Sequence, residues 1–174
     1  MKESKWYVVT GNPGSGKTTI ISRLSEMGYA TCPEAARMII DEGVSKGKTK
    51  EEIREDEEEF QKKVLELKME LEKKLPKDKI VFLDRGLPDT VAYYRLYGLD
   101  AKEALKICKE KIYKKIFFLE SLPLEKDYAR TEDKESLKKL GELLKKAYLE
   151  LGYEVIDVPI MPVGDRVKFI LSKL

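Results

Sequence analysis

The sequence has no histidine, one asparagine (Asn12), one glutamine (Gln61) and only two cysteines, Cys32 and Cys108. Two distant cysteines without a CxxC pair exclude a disulfide framework and a zinc site of the usual spacing. Both are expected as packed thiols in a reducing compartment. Scarce amide side chains beside abundant Lys and Glu make a composition associated with hyperthermophile proteins. Neither charge dominates: 34 Lys and Arg face 32 Asp and Glu, a net charge of +2, so no overall basic field marks the chain for nucleic acid. No apolar run approaches the roughly 20 residues that span a bilayer. Met1-Lys-Glu-Ser4 leads directly into an apolar segment, and the expected location is the cytoplasm. Repeats and low-complexity linkers are also missing.

What is present is a chain of 174 residues, 42% hydrophobic and 38% charged, which is too apolar for disorder and of a size for one core. A single domain over residues 1–174 is expected. Trp6 to Thr10 reads as a strand, Lys17 to Met27 as a helix stopped by Gly28, and Tyr29 to Cys32 as a second strand. Pro33 suits the first turn of the next helix. Ile53, Phe60, Val64, Leu67, Leu71 and Leu75 recur at helical intervals and predict one long amphipathic helix from Lys50 to Leu75, with its charges solvated. Ile80 to Leu83, ending at Asp84, has the continuous apolar character of a strand buried on both faces. Helices are expected near Asp89 to Tyr97 and Ala101 to Glu110, then a strand at Lys115 to Leu119 and a polar loop from Glu120 to Lys134. A helix to Leu151, a strand at Tyr153 to Val158 and a helix from Asp165 to Leu174 complete the chain. Alternating strands and helices imply an α/β fold, a mostly parallel sheet with helices on both faces.

Between the first strand and its helix, Gly11-Asn-Pro-Gly-Ser-Gly-Lys-Thr18 satisfies GxxxxGK[ST] in the context that the motif requires. Gly11, Gly14 and Gly16 let the backbone curl so that amides from Gly14 through Ser15 to Lys17 face phosphate oxygens, and the helix start adds its dipole. Lys17 is expected on the β- and γ-phosphates, the Thr18 hydroxyl on Mg²⁺, and the Thr19 amide on the α-phosphate. Asp84, at the end of a buried strand, has the position of a second Mg²⁺ ligand, with Arg85 beside it for substrate or phosphate. Glu34 and Arg37, one helical turn apart after the second strand, form a candidate acceptor site in which Glu34 takes a hydroxyl proton. Arg130, in the polar loop with Asp127 and Glu132, is a candidate lid arginine for the transferring phosphate. Tyr93, Tyr94 and Tyr97 either wall a pocket for a flat base or pack beneath their helix.

Taken in order, VVTGNPGSGKTT, YATCPEAAR, FLDRGLPDTVAYYRLYG, DYARTE, YLELGYEVIDVP and DRVKFIL resemble the AAA_28 or NadR-like group of small P-loop proteins, over nearly the whole chain. The resemblance implies an adenylate-kinase-like three-layer core with five parallel strands ordered 2-3-1-4-5, and Arg130 in a lid spanning about 120–134. It also implies relation to nicotinamide riboside kinase domains and, more distantly, to deoxynucleoside and thymidylate kinases. Glu34 matches the acidic position of the PEAAR segment, and Asp84-Arg85 is similar to the acidic-Arg pair of those kinases. A ring-forming motor and an adenylylating activity are not expected.

Two functions follow. One is a phosphotransferase using Mg²⁺ and ATP on a nucleoside- or nucleotide-like hydroxyl acceptor, with Lys17, Glu34, Asp84 and Arg130 catalytic and Glu34, Arg37 and Arg85 binding the acceptor. The other is a regulatory protein that hydrolyses ATP or GTP slowly and engages a protein partner through surfaces such as the Lys50 to Leu75 helix. The absence of an NKxD signature after the fourth strand favours ATP over GTP.

Overall fold

The computed structural model of the chain describes residues 4–110, 112–121 and 131–174, with the backbone alone for 131–133. Five parallel strands, β1 (Trp6–Gly11), β2 (Ala30–Cys32), β3 (Val81–Asp84), β4 (Lys115–Leu119) and β5 (Val155–Val158), form one sheet in the order β2-β3-β1-β4-β5. This is the expected order. Helices α1 (Lys17–Glu26), α2 (Ala35–Ser45), α3 (Lys50–Ile53), α4 (Glu57–Lys73), α5 (Leu87–Leu96), α6 (Lys102–Ile107), α7 (Thr131–Glu150) and α8 (Val163–Ser172) connect and flank the strands.

Side chains alternate across each strand, so the sheet has two buried faces. Tyr7 and Val9 of β1 join Phe82 and Phe117 in a core completed by Ile20 and Leu24 of α1 and by Val167 and Ile170 of α8. Trp6 and Val8 face the other way, with Leu83, Ile116 and Tyr148 of α7. A further cluster links Leu65 of α4, Val91 and Ala92 of α5, and Leu140 and Leu144 of α7. Each fully buried Leu, Ile or Phe contributes roughly 1.5–3 kcal/mol from burial. These contacts make three layers with β1 at the centre, flanked by β3 and β4, which leave it in opposite directions. The loop after β1 therefore opens where the strand order reverses, the position at which parallel sheets bind ligands.

Several sequence expectations need correction. The predicted helix from Lys50 to Leu75 is two helices, broken after Ile53. Thr49 and Glu52 close a capping box at the start of α3, and the Asp56 side chain accepts the Glu59 N–H at the start of α4. The Asp56 cap, which falls inside the predicted helix, thus outweighs one continuous apolar stripe. The buried face of α4 also differs: Phe60, Gln61, Leu65, Lys68 and Glu72 are buried, whereas Val64, Leu67 and Leu71 are only half-buried. Polar residues that patterning assigned to water face inward. Pro33 lies outside the first turn of α2, because Glu34 occupies the N-cap. Residues 131–134 of the expected polar loop belong to α7.

Candidate functional site

The loop after β1 is shaped by backbone conformations that only glycine adopts easily. Gly11 has φ 146°, and a Cβ there would stand 2.8 Å from the Leu119 carbonyl oxygen. The Ser15 N–H donates to the Asn12 carbonyl at 3.1 Å and closes the loop. Gly16, in the left-handed region, is the N-cap of α1 and brings no capping side chain. The first amides of α1 therefore keep their donors for an anion. Lys17 is buried, and its Nζ donates to the Asn12 carbonyl at 2.9 Å. Burial, and secondarily the Arg85 guanidinium, lower the Lys17 ammonium to about 8, against the upward pull of Asp84, Glu34 and Asp89.

Arg166 of α8 secures this loop from behind. Its Nη1 donates to the Ser15 carbonyl at 2.7 Å, its Nε to the Pro159 carbonyl at 2.9 Å, and its Nη2 to the Glu120 carbonyl. One guanidinium thus joins the loop to the ends of β4 and β5. Arg166→Met leaves three carbonyls without that donor, and hydrogen bonds to charged groups are worth about 1.5–3 kcal/mol each. The expected result is a loss of roughly 2–4 kcal/mol in unfolding free energy and about tenfold weaker nucleotide binding. Denaturant unfolding and a nucleotide titration of the variant check both numbers.

Asp84 and Arg85 follow β3 beside this loop. Arg85 is the only non-glycine among the described residues with positive φ, at 66°. Its N–H donates to the Val9 carbonyl at 3.0 Å, and its side chain is held by Glu34 (Nε to Oε1, 3.4 Å) and Asp89 (Nη1 to Oδ1, 2.9 Å). The guanidinium also lies 5.3 Å from the centre of the Tyr93 ring. Asp89 anchors this turn: it accepts from Thr10 Oγ1, Arg85 Nη1, the Gly86 N–H and the Tyr148 hydroxyl. A strained backbone of this kind costs on the order of 1–3 kcal/mol and persists where several bonds hold it.

The Asp84 carboxyl is 4% exposed and has an oxygen, Oδ1, without a hydrogen-bond partner. Burial, and then the neighbouring Glu34 carboxylate, push it up to about 6, although Lys17, Arg85 and Lys68 oppose the rise. Glu34 caps α2 without bonding its amides; its carboxylate is turned to Arg85 instead. Glu34 thus sits at the N-cap of α2 without a side-chain capping bond, and Gly86, not Asp84, is the N-cap of α5.

These residues line one cleft of about 640 Å³, which runs from Gly14, Gly16, Lys17, Thr18 and Thr19 past Glu34, Asp84 and Arg85. Its far wall is formed by Arg37 and Ile40 of α2, Phe60, Gln61, Val64 and Lys68 of α4, and Tyr93 of α5. All the expected nucleotide and acceptor residues among the described ones meet here, except that Gly11 and Ser15 are buried in the loop behind the surface. Of the three tyrosines only Tyr93 lines the cleft; Tyr94 packs against the α5 core cluster and Tyr97 is 44% exposed. Arg130 and Asp127 lie outside the described residues.

Sequence reading missed Asp89, Arg166, Lys68 and the Phe60-Gln61 pair. Asp89 had a visible signal, a carboxylate three residues after a helix-starting glycine. Lys68 and Gln61 had a weaker one, since 61, 65, 68 and 72 share a helical face. Nothing local distinguishes Arg166 from other helix-borne cations.

A hard divalent cation such as Mg²⁺ takes oxygen donors and keeps several waters, needing one or two protein groups. The Thr18 hydroxyl and the unpartnered Asp84 oxygen in the same cleft fit that demand. Among the described residues no group of three or more acidic, His or Cys side chains forms an all-protein metal cage.

Residues 6–166 match the family model AAA_28, described as an AAA domain. No curated protein sequence matches the chain. Among solved structures the fold is similar to thymidylate kinase from Ehrlichia chaffeensis, at 17% identity over 98% of each chain with a TM-score of 0.70. It is similar also to deoxyadenosine kinase from M. mycoides bound to dCMP and dCDP, at 16% identity over 97% of each chain with a TM-score of 0.63. NadR in complex with NR matches 97% of this chain at 21% identity and a TM-score of 0.67, yet this chain spans only 49% of NadR. At identities this low the likeness is one of fold, shared with P-loop kinases. No helix among the described residues is long and apolar enough to cross a membrane.

Proposed function

The chain belongs to the AAA_28 family of AAA domains, and from that premise we propose that it is a Mg²⁺-dependent phosphotransferase. It moves the γ-phosphoryl group of ATP to a hydroxyl of a small nucleoside- or nucleotide-like acceptor. The observation that carries this reading is the convergence of Lys17, Asp84, Glu34 and Arg85 in one cleft with an aromatic and amide-bearing far wall. A protein that only hydrolyses nucleotide has no use for that second half.

Nucleotide phosphates lie along the loop amides, with Lys17 against the charge that develops on the β–γ bridge. Mg²⁺, when bound by Thr18 and Asp84, neutralises phosphate charge. Glu34 receives the proton of the acceptor hydroxyl, and Arg85, fixed by Asp89, holds Glu34 in place. The acceptor oxygen forms a bond to the γ-phosphorus as the bond to the bridging oxygen breaks, and ADP leaves with that electron pair. Phe60, Val64 and Tyr93 hold the acceptor and limit water.

The two perturbed groups set the pH range. Asp84, raised to about 6, is protonated and unable to ligate a cation below that pH. Lys17, lowered to about 8, loses its charge above that pH in the free protein. The kcat/KM for ATP, which reports the free protein, is expected to rise through pH 6 and fall beyond pH 8. A profile flat between pH 5 and 9 contradicts both assignments.

The direct test is to incubate the protein with MgATP or MgGTP and a panel of nucleosides and nucleotides, then seek a phosphorylated product by mass spectrometry. A product that requires both partners supports the reading. Hydrolysis without product across a broad panel overturns it in favour of the regulatory alternative.

A further inference from the structure

Lys68 is a buried cation to which phosphoryl transfer as described gives no task. It stands in the middle of α4, 3% exposed, and lines the acceptor half of the cleft. Its Nζ finds only the Cys32 sulfur at 3.8 Å and the Asp84 carbonyl oxygen at 3.5 Å, both distant acceptors. Among the described residues no carboxylate lies within 4 Å of it. Glu72, one helical turn further on, instead accepts the Tyr113 hydroxyl at 2.7 Å. Glu34 is engaged by Arg85.

An ammonium carries three donors, and burying one without a directly paired counter-charge is costly unless something repays it. Other cations on this wall differ. Arg54 is neutralised by Glu57 at 2.6 Å and bonded to the Tyr97 hydroxyl, while Arg37 and Lys50 are exposed. On this wall Lys68 alone combines burial and access to the cleft with no carboxylate within ion-pair distance; the Asp84 and Glu72 carboxylates act on it only from farther off. Phe60 and Val64 line the same wall, and removal of Lys68 from water strengthens its attraction to an incoming anion.

We propose that Lys68 binds an oxyanionic substituent of the phosphate acceptor, a phosphomonoester or a carboxylate, and so selects acceptors that carry one over neutral analogues. This rests on the phosphotransferase reading and narrows its substrate class.

The test measures transfer from MgATP to adenosine, guanosine, cytidine and uridine, to their 5′-monophosphates, and to the hydroxy-carboxylates shikimate and quinate. Wild-type protein and Lys68→Met are compared. Transfer is expected to an anionic member of the panel, the monophosphates and carboxylates distinguishing the two sources of the anion. Lys68→Met raises the KM for that acceptor by about 30-fold, with kcat changed little, as loss of uniform binding requires. Lys68→Arg recovers part of the loss. The melting temperature of Lys68→Met is expected to stay level or rise, because methionine of similar length fills the site without a buried charge. A neutral nucleoside as best acceptor, with the same KM in both proteins, overturns the inference and leaves the kinase reading intact. A melting temperature lowered by more than about 5 °C also overturns it, since a substitution of this size then removes a structural contact. If nothing in the panel is phosphorylated, the kinase reading fails, and calorimetry with MgADP-loaded protein decides: binding of an anionic member that Lys68→Met loses upholds the inference, and its absence overturns it.

Discussion

Lys17→Ala is expected to reduce phosphoryl transfer by about 10³-fold, the upper end of the range for removal of one preorganised donor to developing charge. The structure explains why this lysine counts for more than an exposed one. Its ammonium is buried and donates only to the Asn12 carbonyl and, at 3.5 Å, to Ser15 Oγ. The folded protein therefore bears a desolvation cost that the phosphates offset on arrival. Removing the charge should weaken nucleotide binding as well as transfer, while leaving stability level or slightly higher because that cost disappears. Single-turnover transfer, a nucleotide titration and a thermal melt separate these effects. If the variant bound nucleotide normally and lost only transfer, Lys17 would belong to the transition state alone; normal transfer would remove it from the site.

The second large effect is expected from Glu34→Gln. General-base contributions run at roughly 10²–10⁴-fold, and kcat should fall by that amount while nucleotide affinity changes little. Glutamine keeps the size of the side chain and an acceptor for Arg85, and Arg85 retains its 2.9 Å pair with Asp89. The strained turn at Arg85 should therefore survive, which separates lost chemistry from lost structure. Kinetics in saturating acceptor, with a melt as control, make the measurement. Near-normal kcat would pass the proton to another group, and Asp84, the adjacent buried carboxyl, is the first to examine.

Some elements were readable because their causes are local. β4 was expected and found at Lys115–Leu119, since five consecutive apolar or long-stemmed residues between polar flanks leave little choice. Glycine spacing placed the phosphate loop for the same reason: the curl needs positive φ at fixed intervals along one short stretch. The Lys50 to Leu75 segment failed because apolar periodicity is blind to a cap within it. Asp56 with Glu59 restarts the chain as α4, whose inward face carries Gln61, Lys68 and Glu72. The two cysteines are free and buried, as anticipated.

By itself, then, the sequence determined the alternating α/β pattern and the loop from Gly11 to Thr18 with its Lys17, because both rest on neighbours along the chain. Only the tertiary structure decided that Glu34, at the N-cap of α2, turns its carboxylate to Arg85, that Asp89 and Tyr148 brace that turn, that Arg166 secures the loop, and that Lys68 is buried in the cleft. The physical reason is common to all four. Parallel pairing brings the ends of the five strands side by side, and which charges meet there depends on residues far apart in sequence being desolvated together.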